Sequence, residues 1–161
     1  MNTTDDVFKR ALSKLLVEIF DGPPGEEAYM LNPGDPGLLG ELTSVDAGGA
    51  SARPMPGRTT IAAHVDHVLY GLALLNRWAA GENNPWADAD WGASWERAIV
   101  SDEQWRVLRD RIAEQAAAWR NAVAARSEWD DIAAAGALAS VAHTAYHLGA
   151  IRQILAAMGK R

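Results

Sequence analysis

The sequence predicts an all-α protein, a four-helix bundle that runs up-down-down-up with long 1–2 and 2–3 connections. Three observations predict it. Four segments of bundle length repeat apolar residues at spacings of three and four, the period of an amphipathic helix. Their starts carry helix-capping residues. The connection lengths set the direction of the helices: a short break between helices 3 and 4 demands antiparallel neighbours. The long 2–3 connection can cross the bundle and leave helices 2 and 3 parallel.

The first helix opens near Thr4, the expected N-cap, with Asp5 and Asp6 at the positive end of its dipole. Its apolar stripe is Val7, Phe8, Ala11, Leu12, Leu15, Leu16 and Ile19, and Asp21-Gly22-Pro23-Pro24-Gly25 stops it. Residues 26–59 form a connection with turn chemistry at Asn32-Pro33-Gly34-Asp35-Pro36-Gly37. Leu38, Leu39 and Leu42 can make one short helical turn on the bundle, whereas Gly48-Gly49 and Pro54-Met55-Pro56-Gly57 read as loop.

The second helix opens at Thr59 or Thr60 and turns Ile61, Val65, Val68, Leu69, Leu72 and Leu75 inward. Gly81 suits the position just past its end. His64 and His67 lie in its first two turns, about 60° apart around the axis, so one can point inward while the other sits at the edge. Residues 82–100 form the second long connection, with Trp86, Trp91 and Trp95. These indoles either form a flap over the end of the bundle or wall a pocket beside the histidines.

The third helix starts with a capping box, Ser101-Asp102-Glu103-Gln104, and buries Trp105, Leu108, Ile112, Ala116, Trp119 and Val123. After a break at residues 126–131, Asp130 or Asp131 caps the fourth helix. That helix carries His143 and His147, four apart and therefore on one face.

Composition narrows the function. The 161 residues and 17.3 kDa make one domain, residues 1–161. There is no cysteine, which excludes disulfides, thiolate metal sites and a thiol nucleophile from the chain itself. A net charge of -6 argues against binding to a phosphate backbone, so no nucleic acid partner is expected. No apolar run reaches the roughly 18 residues of a membrane-spanning helix, and Met1-Asn2-Thr3-Thr4-Asp5-Asp6 is too polar for a signal peptide. A cytoplasmic protein with no membrane partner is expected. Tryptophan is frequent, 7 residues against 2 Phe. This points to half-buried indoles at pocket rims or an interface and, with the apolar residues of the crossovers, to a homodimer.

All four histidines fall in two pairs, on the second and fourth helices. They are either ordinary interior or surface residues, or the imidazoles of a metal site closed across a helix interface. Within the second-helix pair, spacing alone leaves His64 and His67 open.

The motif His143-x3-His147-x-Gly149-x-Ile151 resembles the last-helix signature of the DinB-like four-helix bundles. Thr60-Ile61-Ala62-Ala63-His64-Val65-Asp66-His67 resembles that family's second-helix motif, in which the metal-binding His lies seven residues after a Thr or Ser. The resemblance covers most of the chain and implies a divalent metal, such as Zn, Ni or Fe, on His67, His143 and His147, with His64 outside the set. Ala150 stands where many members have Gln, and Leu148 where the residue is often basic. Dimers are common in the family. Members of known activity are thiol-dependent transferases and isomerases using glutathione, mycothiol or bacillithiol. The resemblance thus implies a metal-dependent enzyme, an S-transferase or a hydrolase, acting on a small molecule. With no cysteine in the chain, any thiol would arrive as a cosubstrate. The alternative is a non-enzymatic binding, sensor or stress-response protein whose metal site is structural or vestigial. Asp66 and Tyr146, next in sequence to His67 and His147, are candidates to support the ligands.

Overall fold

The computed structural model describes residues 3–160; Met1, Asn2 and Arg161 lie outside them. Every regular element among the described residues is helical. Four helices are long: α1 (Thr3–Asp21), α4 (Ile61–Ala79), α5 (Asp102–Ala125) and α6 (Asp131–Ala157). Two short ones, α2 (Leu38–Thr43) and α3 (Ala47–Ser51), fall in the first long connection. Among the described residues, no helix is long and apolar enough to cross a membrane.

The caps follow the local chemistry. Thr60, Ser101 and Asp130 accept the backbone N–H groups of Ala63, Gln104 and Ala133, and the Ser101–Gln104 box is reciprocal. Gly81 follows α4 at φ +100°, a left-handed conformation that costs glycine little. Thr4 lies inside α1, which already includes Thr3; helix ends readily shift by a residue. Gly48-Gly49 is not loop either. Asp46 caps α3 by accepting Gly49 N–H at 2.7 Å, which holds the glycines in a helical turn.

One apolar core runs through the molecule, and α5 delivers all six residues of its predicted stripe to it. α1 contributes Leu12, Leu16, Ile19 and also Phe20, and Phe8 packs against the same core, whereas Val7 and Ala11, four apart on one face, stay exposed. On α4, Leu74 is buried while Leu75 is only half-buried beside a cavity. The closest helix pairings are α4 with α5 and α6, and α1 with α5 and α6. α5 and α6, though joined by the short break, are not among the close pairings. They meet through Trp119, whose indole N–H donates to Ser140 Oγ at 2.9 Å.

Two polar anchors hold the connections. Arg152 of α6 donates to Glu41 Oε1 at 2.8 Å and to the Pro36 carbonyl at 2.8 Å. Glu18, only 2% exposed, accepts the backbone N–H groups of Tyr29, Met30 and Leu31 at 2.6–3.0 Å. Burial pushes the Glu18 carboxyl pKa up, but the three donors outweigh it and hold the group below its ordinary 4.5. That stabilisation is therefore present above the unfolded value and is lost as pH falls through the lower folded value. Glu18→Ala should cost about 2–3 kcal/mol near pH 7, read as a lower urea midpoint, and the cost should shrink in acid. An unchanged midpoint near pH 7 would show that the 29–31 segment does not depend on this carboxylate.

Candidate metal centre

α4 and α6 face each other along the bundle, which brings their two histidine pairs together. The Nε2 atoms of His67, His143 and His147 converge: His143 Nε2 lies 3.1 Å from that of His67 and 3.0 Å from that of His147. Among the described residues, these three form the only grouping of three or more His, Asp or Glu side chains whose ligand atoms all lie within 4.8 Å of one another.

The outer nitrogens explain the orientation. The hydroxyl of Ser94, on a single 3-10 helical turn (Ala93–Trp95), donates to the Trp91 carbonyl at 2.7 Å. Its oxygen then accepts from His67 Nδ1–H at 2.7 Å. That fixes the His67 proton on Nδ1 and leaves the Nε2 lone pair facing the cluster. His147 Nδ1 meets His64 Nδ1 at 2.8 Å, so a His147 with its Nε2 lone pair inward donates there to His64.

Two inward lone pairs then face His143 Nε2, and a single proton on that atom cannot serve both. A cation at the centre would satisfy all three nitrogens, and the donor set fits one. Burial lowers the pKa of every histidine in the group, and at His147 and His67, lowered to about 3 and about 4, neighbouring imidazoles add to the effect. At neutral pH the rings are therefore uncharged, the form that binds metal.

Both His64 and His67 are 8% exposed, so neither sits at the solvent edge as one of them was expected to. The flap accounts for this. Trp95 stacks on His67 with centroids 4.2 Å apart and meets the edge of His64 at 5.3 Å. Trp91 lies 5.6 Å from His67, and Trp91 and Trp86 wall a cavity that reaches His143. The flap itself is tied down by Thr60 Oγ1, which donates to the Ala98 carbonyl at 2.8 Å, and by Ser51 Oγ, which accepts Val100 N–H at 3.0 Å.

The supporting residues differ from those suggested by sequence adjacency. Asp66 turns away and pairs with Arg97 at 3.2 Å. Tyr146 is 71% exposed and touches His147 only with its ring. Ser94 takes the supporting role at His67 from 27 residues downstream, in a segment with no periodicity to flag it.

Comparison with known proteins finds no matching family model, no matching curated protein and no matching solved structure.

Proposed function

We propose that this chain is a divalent-metal-dependent enzyme of the DinB-like type, acting on a small molecule at His67, His143 and His147. The observation that carries the reading is the convergence of three neutral imidazole nitrogens beside a cavity, with the outer nitrogens of two of them held by Ser94 and His64. The reading takes the four long helices as an up-down-down-up bundle. His67, His143 and His147 would hold the ion, and a divalent ion bound there would supply Lewis acidity that lowers the pKa of a water or a low-molecular-weight thiol. The chain's own part is to orient. Ser94 and His64 fix two ligand tautomers, the Trp95 face shields His67 from bulk water, and the cavity beside His143 receives the reacting molecule.

A second reading, a binding or sensor protein with a structural metal, draws support from the apolar walls of that cavity. Metal analysis tests the first requirement of both. Protein purified without a histidine tag should carry about one divalent ion per chain, and chelation should remove it while helical circular dichroism persists, because the helices share a large apolar cluster that needs no metal. Loss of helix on chelation would mark the site as structural and favour the second reading. Absence of metal binding would end both.

A further inference from the structure

The cavity beside the triad constrains what shares the site with the metal, an inference that rests on the metal-centre reading. It has a volume of about 370 Å³ and lies between α4 and α6 under Trp86 and Trp91. Among the described residues, His143 is the only ionisable side chain in its walls. Two hydroxyls reach it, but their protons are committed: Ser140 donates to the Ala137 carbonyl at 2.7 Å, and Thr144 to the Ser140 carbonyl at 2.8 Å. An ion placed here would lose hydration and meet no charged side chain to replace it. The two indoles instead contribute apolar ring surface to its wall.

One polar feature remains. The bonds of His143 run through Nε2, and among the described residues no protein group bonds its Nδ1. That nitrogen lies 3.9 Å from where a Cβ on Gly71 would sit, and Gly71 borders the cavity. An imidazole that ligates through Nε2 carries its proton on Nδ1. Of the three ligands, His143 alone therefore has an outer N–H without a protein acceptor, and it lies on the cavity side.

We infer that the cavity binds an uncharged, mostly apolar ring compound bearing one acceptor oxygen, such as an aromatic ketone, aldehyde or ether, which takes the His143 Nδ1–H. An apolar cavity of about 150 Å³ holds benzene, so this one accommodates about two fused rings.

Three probes of similar shape test this on the metal-loaded full chain: naphthalene, 2-acetonaphthone and naphthalene-2-sulfonate. Binding is followed by tryptophan fluorescence, and metal content is read on the same samples. The ketone should bind about three- to tenfold tighter than naphthalene. The sulfonate should bind at least about tenfold more weakly than the ketone. Nothing lies within 4 Å of a Cβ built on Gly136, a residue of the cavity wall, so Gly136→Leu enters open space. It should abolish ketone binding and leave the metal in place.

Sulfonate binding equal to the ketone's, ketone binding no tighter than naphthalene's, or unchanged ketone binding in metal-loaded Gly136→Leu overturns the inference. If Gly136→Leu does not fold, the wild-type probe series decides alone. Metal retained with no ketone binding sinks this inference and leaves the metal centre standing. Failure to bind metal at all sinks the metal centre.

Discussion

Replacing His67, His143 or His147 singly by alanine should lower metal affinity by more than about a hundredfold, measured by competition with a chromophoric chelator. The reasoning starts from what a supporting residue is worth: loss of one costs a metal site roughly 10–100-fold. His64→Ala and Ser94→Ala should fall in that window, because each removes the partner of a ligand's outer nitrogen and leaves the ligand in place. A residue that donates its own lone pair must cost more. The same series is visible in stability. Metal at a hundred times its dissociation constant stabilises the native state by about 2.7 kcal/mol. A variant whose affinity drops a hundredfold keeps only about 0.4 kcal/mol of that. If His64→Ala lost as much metal as His67→Ala, the site would use four histidines and be closed, and the enzymatic reading would lose its open position.

Trp119→Ala should be the most damaging single change in the core, at about 3–5 kcal/mol. The indole is 2% exposed and bridges α5 to α6, two helices outside the close pairings. Truncation opens a cavity there and also removes the N–H that Ser140 Oγ accepts at 2.9 Å. Against the roughly 5–15 kcal/mol that holds a domain folded, this is a large fraction. The urea midpoint should fall while the slope with denaturant stays constant. Trp119→Phe should cost about half as much, since it keeps most of the apolar volume. A Trp119→Ala protein within about 1 kcal/mol of wild type would show that α6 is held by its other contacts, with α1, α4 and the Arg152 partners, without this indole.

What could be read from the sequence divides along physical lines. The α5 stripe and the Ser101 cap are local facts, set by residues within four positions of one another, and were legible; the caps of α4 and α6 were legible to within one residue, as Thr59 or Thr60 and Asp130 or Asp131. Glu18 was not. A carboxylate beside an apolar stripe reads as solvent-facing, and its burial depends on backbone N–H groups 11–13 residues away. Val7 and Ala11 keep the helical period but stay exposed while Phe8 beside them packs on Trp129, and periodicity does not fix how wide the buried face is. Within the candidate site, the His143–His147 pair follows from its four-residue spacing. The choice of His67 over His64 came from the resemblance, and in the structure His67 Nε2 points into the cluster while His64 Nδ1 backs His147. Ser94 could be found only once the flap was placed, since nothing in its neighbourhood encodes a contact with α4.

The central claim is that three histidines, and no other protein group, hold one divalent ion with positions left open. X-ray absorption at the metal edge on zinc-loaded protein addresses it most directly. The expected spectrum shows three imidazole nitrogens at about 2.0–2.1 Å, with one or two further light-atom donors that are not imidazole. A fit requiring four imidazoles, or fewer than three, would contradict the account.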